Sequence, residues 1–170
     1  MADKYLSLKA DGDLQQVEAT VSSTGTGSAG DIVALDSAGR LTTSVLPTGI
    51  GREVISIEAA EALTAGDLVN MYNDSGTTKV RKADNSNSRR AHGFVISAAT
   101  SGNNVDVYFA GFNSGVSGGT AGAKGYLGTA GAIITTSLNP TTVNGRILQA
   151  VGHFSSGSNF VFNPAEPIFL

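Results

Sequence analysis

Short apolar runs alternate with clusters of small polar residues along most of the chain. Segments of four to seven residues, β-branched or aromatic in character and bounded by Gly, Asn, Asp or Ser, lie at 32–35, 53–57, 68–72, 77–81, 93–97 and 105–109. Others follow at 124–127, 132–136, 145–151 and 159–162. Strands this short, separated by turn signals this often, predict an all-β sandwich or barrel. The period of two is explicit in places. Val105, Val107 and Phe109 share one face against Asp106 and Tyr108, and Phe160 and Phe162 point together against Val161. In Phe94-Val95-Ile96 and Ala132-Ile133-Ile134 both faces are apolar, so such strands are buried on both sides or turn one face to another chain. The segment Ile57-Glu58-Ala59-Ala60-Glu61-Ala62-Leu63 has helix-forming composition; a helix or turn of barely two turns, stopped by Gly66, is expected there.

One phrase recurs. Gly66-Asp67-Leu68-Val69-Asn70-Met71-Tyr72-Asn73-Asp74-Ser75-Gly76 echoes Gly30-Asp31-Ile32-Val33-Ala34-Leu35-Asp36-Ser37-Ala38-Gly39, and a weaker copy starts at Gly122. Each reads as a glycine, a strand, a small-residue turn and a second strand, which is a hairpin plan. Asp31 and Asp67 are placed to bond a nearby backbone N–H and fix the entry to the strand. The uneven spacing of the copies excludes a solenoid or propeller.

The first fifty residues differ in character. Tyr5-Leu6-Ser7-Leu8 and residues 16–21 alternate like edge strands, and residues 22–30, SSTGTGSAG, read as a flexible small-residue linker. Too few apolar residues lie there for an independent core. Residues 1–50 are therefore expected to form an extended arm, and residues 51–170 a β-rich body, with the boundary at the break near Gly49–Gly51. Candidate docking residues on the arm are Tyr5, Leu6, Leu8, Val17, Val21, Ile32, Val33 and Leu35.

Composition narrows the function classes. The 170 residues are 15% charged, below the roughly 25% usual for soluble domains, and carry a net charge of −3. A nucleic-acid partner is not expected, since it would call for a basic patch. The basic residues of Lys79-Val80-Arg81-Lys82 and Arg89-Arg90 read as a solvated loop rim, or as a contact for an acidic partner surface. With no cysteine there is neither a disulfide nor a thiolate metal site. The N-terminus lacks the apolar stretch of a signal peptide, and no apolar run approaches the ~18 residues of a membrane span.

Catalytic patterns fail one by one. His92 and His153 lack the neighbours of a zinc motif and read as strand-end or core residues. The run from Gly118 to Gly125 lacks the Ser or Thr that follows a phosphate-loop lysine, and there is no G-x-S-x-G elbow. Carboxylates are numerous but lie in turn-like settings, and Trp, a common sugar platform, is absent, which disfavours a carbohydrate-binding module. Neither enzymatic activity nor a cofactor, metal or small-molecule substrate is expected.

The phrases VALDSAGRLTTSVL at 33–46, followed by Pro47, and VRKADNSNSRRAHGFV at 80–95 together carry a resemblance. With VDVYFAGFNSGVSG at 105–118, GYLGTAGAIITT and residues 147–154, the chain from Gly30 onward resembles the head decoration, or capsid cement, proteins of tailed bacteriophages. The resemblance implies a homotrimer, made in the bacterial host cytoplasm, that sits on the outer surface of the phage head. There it would bridge neighbouring subunits of the major capsid protein. Its alternative is a head- or tail-fibre segment that attaches to the host surface, because fibre proteins share the Val-Ala-Leu-Asp-x-x-Gly piece. The first thirty residues match no such phrase, and docking through the arm is the expectation drawn from its composition.

Overall fold

The computed structural model describes residues 4–46 and 53–170. The protein is all-β, as the alternation predicts. It divides into two compact units, Met1–Gly51 and Arg52–Leu170; the expected break at Gly49–Gly51 lies outside the described residues.

In the N-terminal unit, β1 (Lys4–Leu8) and β2 (Leu14–Glu18) form an antiparallel hairpin, so the two alternating segments pair with each other. Gly12, at φ 91°, turns the connection, and Lys9 N–H donates to Asp13 O at 2.8 Å. Residues 32–35 are not a strand. A single parallel bridge joins Thr20 to Val33, and the upstream copy of the repeated phrase is thus not a hairpin. The small-residue segment is not a plain linker either. Gly25–Ser28 is a 3-10 turn, Thr24 N–H donates to Ser28 Oγ at 3.1 Å, and Ser23 N–H donates to Ser44 Oγ at 3.0 Å. Serine and threonine hydroxyls supply local partners that a composition-based reading leaves out.

In the second unit the strands are β3 (Val54–Ala59), β4 (Leu68–Asp74), β5 (Thr77–Lys82), β6 (Gly93–Val95) and β7 (Asn104–Tyr108). They close into a barrel in the order β3-β5-β4-β6-β7, with β3 and β5 parallel and β7 returning to β3. Then come β8 (Gly111–Asn113), β9 (Lys124–Leu127), β10 (Ile133–Ile134), β11 (Ile147–Leu148), β12 (Ala150–Ser156), β13 (Asn159–Phe162) and β14 (Ile168–Phe169). A five-stranded sheet runs β10-β9-β12-β13-β8, and β11 pairs with β14. Sandwich and barrel, left open by the pattern, resolve as a closed barrel with a sheet packed on its outside.

Two cores follow from the period of two. Val69, Val80, Val95, Val105 and Val107 fill the barrel with Ile57, Ala59 and Leu63. Leu68 and Phe94, one residue away on the same strands, point outward to meet Leu127, Phe154, Phe160 and Phe162 of the sheet. Both faces of Phe94-Val95 are therefore covered within one chain, and their apolarity is no sign of a subunit contact. Of the helix or turn expected at 57–63, no helix forms, and the chain bends at Ala60-Glu61 after β3. Strand β3 runs through Ala59 because Ile57 and Ala59 face the barrel interior, and alternation over buried positions outweighs the helix propensity of Glu and Ala.

The middle copy of the phrase is a hairpin. Ser75 and Gly76 both have positive φ, 53° and 94°, the geometry of a two-residue I′ turn, and they set Asp74 opposite Thr77. The third copy is the β9–β10 hairpin.

Candidate functional site

None of the described residues of the N-terminal unit is buried, yet eight large apolar side chains there are exposed: Leu6, Leu8, Leu14, Val21, Ile32, Val33, Leu35 and Leu41. The hairpin register explains the largest exposures. Tyr5 faces Val17 across the ladder, so both half-buried side chains lie on one side. Leu6 and the Leu8–Leu14 pair occupy the opposite side, where Leu6 and Leu8 are each 69% exposed. Sequence reading missed Leu14, whose place opposite Leu8 depends on the length of the connection. It also missed Leu41, which has no strand pattern around it. Ile32, Val33 and Leu35 belong to an irregular stretch tied by Thr20 N–H to Ile32 O (2.8 Å) and Ala34 N–H to Thr20 O (2.9 Å). Asp31 bonds the Thr20 hydroxyl at 2.7 Å rather than a backbone N–H. A cavity of about 340 Å³ opens beside this stretch, lined by Thr20, Ser23, Ser28, Asp31, Val33, Ser44, Val45 and Leu46.

Charge is divided unevenly. Residues 1–51 hold Lys4, Lys9 and Arg40 against Asp3, Asp11, Asp13, Glu18, Asp31 and Asp36, which accounts for the whole net charge of −3. The remaining eight basic and eight acidic residues cancel. The N-terminal unit is thus acidic as well as apolar on its surface.

In the body, the residues of the distinctive phrases serve the fold. Asp67 Oδ2 accepts from Thr64 N–H at 2.8 Å and pairs with Lys82 Nζ at 3.2 Å, so Asp67 does fix the entry to β4. Ala83 is in the core between the layers. Burial pushes the Asp84 carboxyl up, but hydrogen bonds from Ser86 and from Ala130 N–H outweigh it and hold the group below its ordinary range. Gln149, 2% exposed, accepts from Ala91 N–H at 2.8 Å and donates to Ala91 O and Ala165 O at 3.1 and 3.0 Å.

His92, half-buried, immediately precedes β6. Met71 N–H donates to Nδ1 at 2.9 Å, and Arg90 Nε–H points at Nε2 from 2.8 Å. Burial first, and the Arg90 charge second, hold the imidazole below its ordinary pKa, against an opposing pull from Glu166. The unfolded chain takes up this proton near the ordinary histidine value of about 6.5, while the folded ring resists until lower pH. The stability linked to His92 is therefore full above the unfolded pKa and declines as pH falls below it. His92→Gln is expected to flatten the dependence of the melting temperature on pH between about pH 7 and pH 5. Parallel profiles for the two proteins would show that the imidazole carries no such linkage. Among the described residues there is no group of three or more His, Cys, Asp or Glu side chains placed to hold a metal.

No family model matches the chain, and no curated protein matches it. Among solved structures it is similar to the head fiber gp8.5 N base of bacteriophage phi29, with a TM-score of 0.44 and 17% identity over 66% of this chain and 95% of that chain.

Proposed function

We propose that this protein is a non-enzymatic structural component of a tailed-phage virion. It binds the outside of the head as a homotrimer and stabilises contacts between major capsid protein subunits. The observation that carries the reading is the N-terminal unit. It holds defined turns and a hairpin, yet buries none of its described residues and leaves Leu6, Leu8 and Leu14 together on one open face. Ordering a chain costs roughly 1–2 kcal/mol per residue, and a unit without a core offsets little of that by itself. A partner that covers the leucine face supplies the missing burial, at about 25 cal/mol per Å² of apolar surface. Among the described residues no further strand pairs with the hairpin, whose edges can extend a partner's sheet by main-chain hydrogen bonds. Three copies on one trimer multiply such weak contacts. The phrases at 80–95 and 105–118, which resemble capsid cement proteins, agree with this role.

The test keeps the body intact. The full-length chain with Leu6, Leu8 and Leu14 all replaced by Asp should melt at the same temperature as the unsubstituted protein and lose capsid binding in a co-sedimentation assay with mature heads. Undiminished binding would remove the leucine face from the interface. Retention on tails rather than heads would favour the fibre reading. Sedimentation equilibrium should give a mass near three times 17.2 kDa, and a stable monomer would rule out the trimer.

A further inference from the structure

A cavity in the body has the equipment to bind an acidic side chain of a protein partner. The ladder between β4 and β5 sets Asn70 opposite Arg81 and Tyr72 opposite Lys79. The neighbouring cations already have counter-charges. Lys79 Nζ lies 3.1 Å from Glu58 and 3.0 Å from Asp74, Lys82 pairs with Asp67, and Arg90 pairs with Glu166 at 3.3 Å. Arg81 has no carboxylate within ion-pair distance among the described residues. It is instead held in place by neutral groups. Its guanidinium lies 4.2 Å from the centroid of the Tyr72 ring, and Nε donates to Asn70 Oδ1 at 3.1 Å. Asn70 is 6% exposed and fixed in turn by donating to Arg90 O at 2.9 Å. The stack and the single Nε bond orient the plane and leave the terminal nitrogens as an open fork, the arrangement that a carboxylate meets with two parallel bonds.

The fork opens on a cavity of about 370 Å³ whose other walls include the Arg90–Glu166 ion pair, Ile147, Pro167 and Phe169. Phe169 is 73% exposed. The walls thus offer an oriented cation without a counter-charge, a mutually neutralised Arg90–Glu166 pair and an apolar shelf. Few neutral hydrogen-bonding groups remain to recognise sugar hydroxyls, because the Asn70 amide is engaged at both ends and only Ser88 and the Tyr72 hydroxyl are left. That balance favours a peptide over an acidic sugar. We propose that this cavity receives the carboxylate of an Asp or Glu flanked by apolar residues on a partner protein, with Arg81 taking the charge and Phe169 the apolar neighbour. The site is separate from the leucine face of the N-terminal unit and stands or falls without it.

The experiment follows the Arg81 Nε–Hε resonance and, in both the unsubstituted chain and the Arg81→Gln variant, the Phe169 backbone amide resonance of the full-length protein by nitrogen-15 NMR. The probes are the blocked peptides acetyl-Phe-Asp-Phe-amide and acetyl-Phe-Asn-Phe-amide, and glucuronate. The Asp peptide is expected to give a saturable shift, with binding about tenfold or more tighter than the Asn peptide, and Arg81→Gln is expected to abolish the difference between them. Equal shifts from the two peptides, no shift at all, or saturation by glucuronate but not by the Asp peptide would each overturn the proposal. Should Arg81→Gln fail to fold, the Asp and Asn comparison on the unsubstituted chain decides. No capsid enters the assay, so its failure is distinct from failure of the virion reading.

Discussion

Phe160→Ala is expected to destabilise the body by about 3–5 kcal/mol, the range for removing a fully buried aromatic side chain. The ring is 0% exposed and meets Phe154 edge-on at a centroid distance of 4.9 Å. It also lies against two glycines, Gly152 on the adjacent strand β12 and Gly125 on β9 beyond it. A Cβ on Gly125 would meet the ring edge, and one on Gly152 would lie 3.0 Å from it as well as overlapping Val161 O. The ring therefore fills space that three strands leave open. Thermal melting should show a fall of roughly 10 °C or more. Phe112→Ala is the control, since Phe112 is 55% exposed, and its effect should stay within about 0.5 kcal/mol. Comparable losses at the two positions would mean that the core between barrel and sheet is not where the stability resides.

Gly66→Ala is the second large effect, from one added methyl group. Gly66 opens the repeated phrase with φ 94°, donates its N–H to Val95 O at 2.8 Å and accepts from Asn113 Nδ2 at 2.9 Å. A Cβ there would stand 2.5 Å from Gly115 O, so two backbones cross with no room for a side chain between them. Positive φ in a non-glycine residue and the overlap act together. A loss of at least about 3 kcal/mol is expected, read as a lower denaturation midpoint. Gly76→Ala makes a pointed comparison, because Gly76 shares φ 94° but would meet nothing within 4 Å. It should cost clearly less. Equal costs would assign the whole effect to backbone strain and none to the crossing.

Much of the body was legible because alternation over buried positions is a strong signal. Val105 and Val107, and Phe160 and Phe162, fall on the faces that the pattern assigns them. Of the helix or turn expected over 57–63 the helix does not form, because local propensity takes no account of the barrel that Ile57 and Ala59 help to fill. Phe94-Val95-Ile96 was ambiguous for a physical reason: a second layer of the same chain and a second subunit both demand apolar residues on both faces. GDIVALDSAG matches GDLVNMYNDSG in composition but lacks a following strand to pair with, and only partner geometry separates a hairpin from a bridge. Of the proposed docking residues, Leu6 and Leu8 stood out by alternation, whereas Leu14 needed the hairpin register. Arg81 was visible only as one of a basic cluster. Placing a two-residue turn at Ser75-Gly76 would have set it opposite Asn70, but its lack of a counter-charge depends on Glu58, Asp67 and Asp74 satisfying its neighbours.

The alternation of Leu68 with Val69 and of Phe94 with Val95 has a consequence for how the body comes apart. Strands β4 and β6 are shared walls, each supplying one side chain to the barrel interior and the next to the sheet. Peeling the sheet away would expose the outer faces of both strands, and opening the barrel would remove the platform on which the sheet lies. A form with one layer unfolded and the other whole is therefore not expected to be populated. The body is expected to unfold in one cooperative transition, and a load applied to the outer sheet would pass directly to the barrel beneath it.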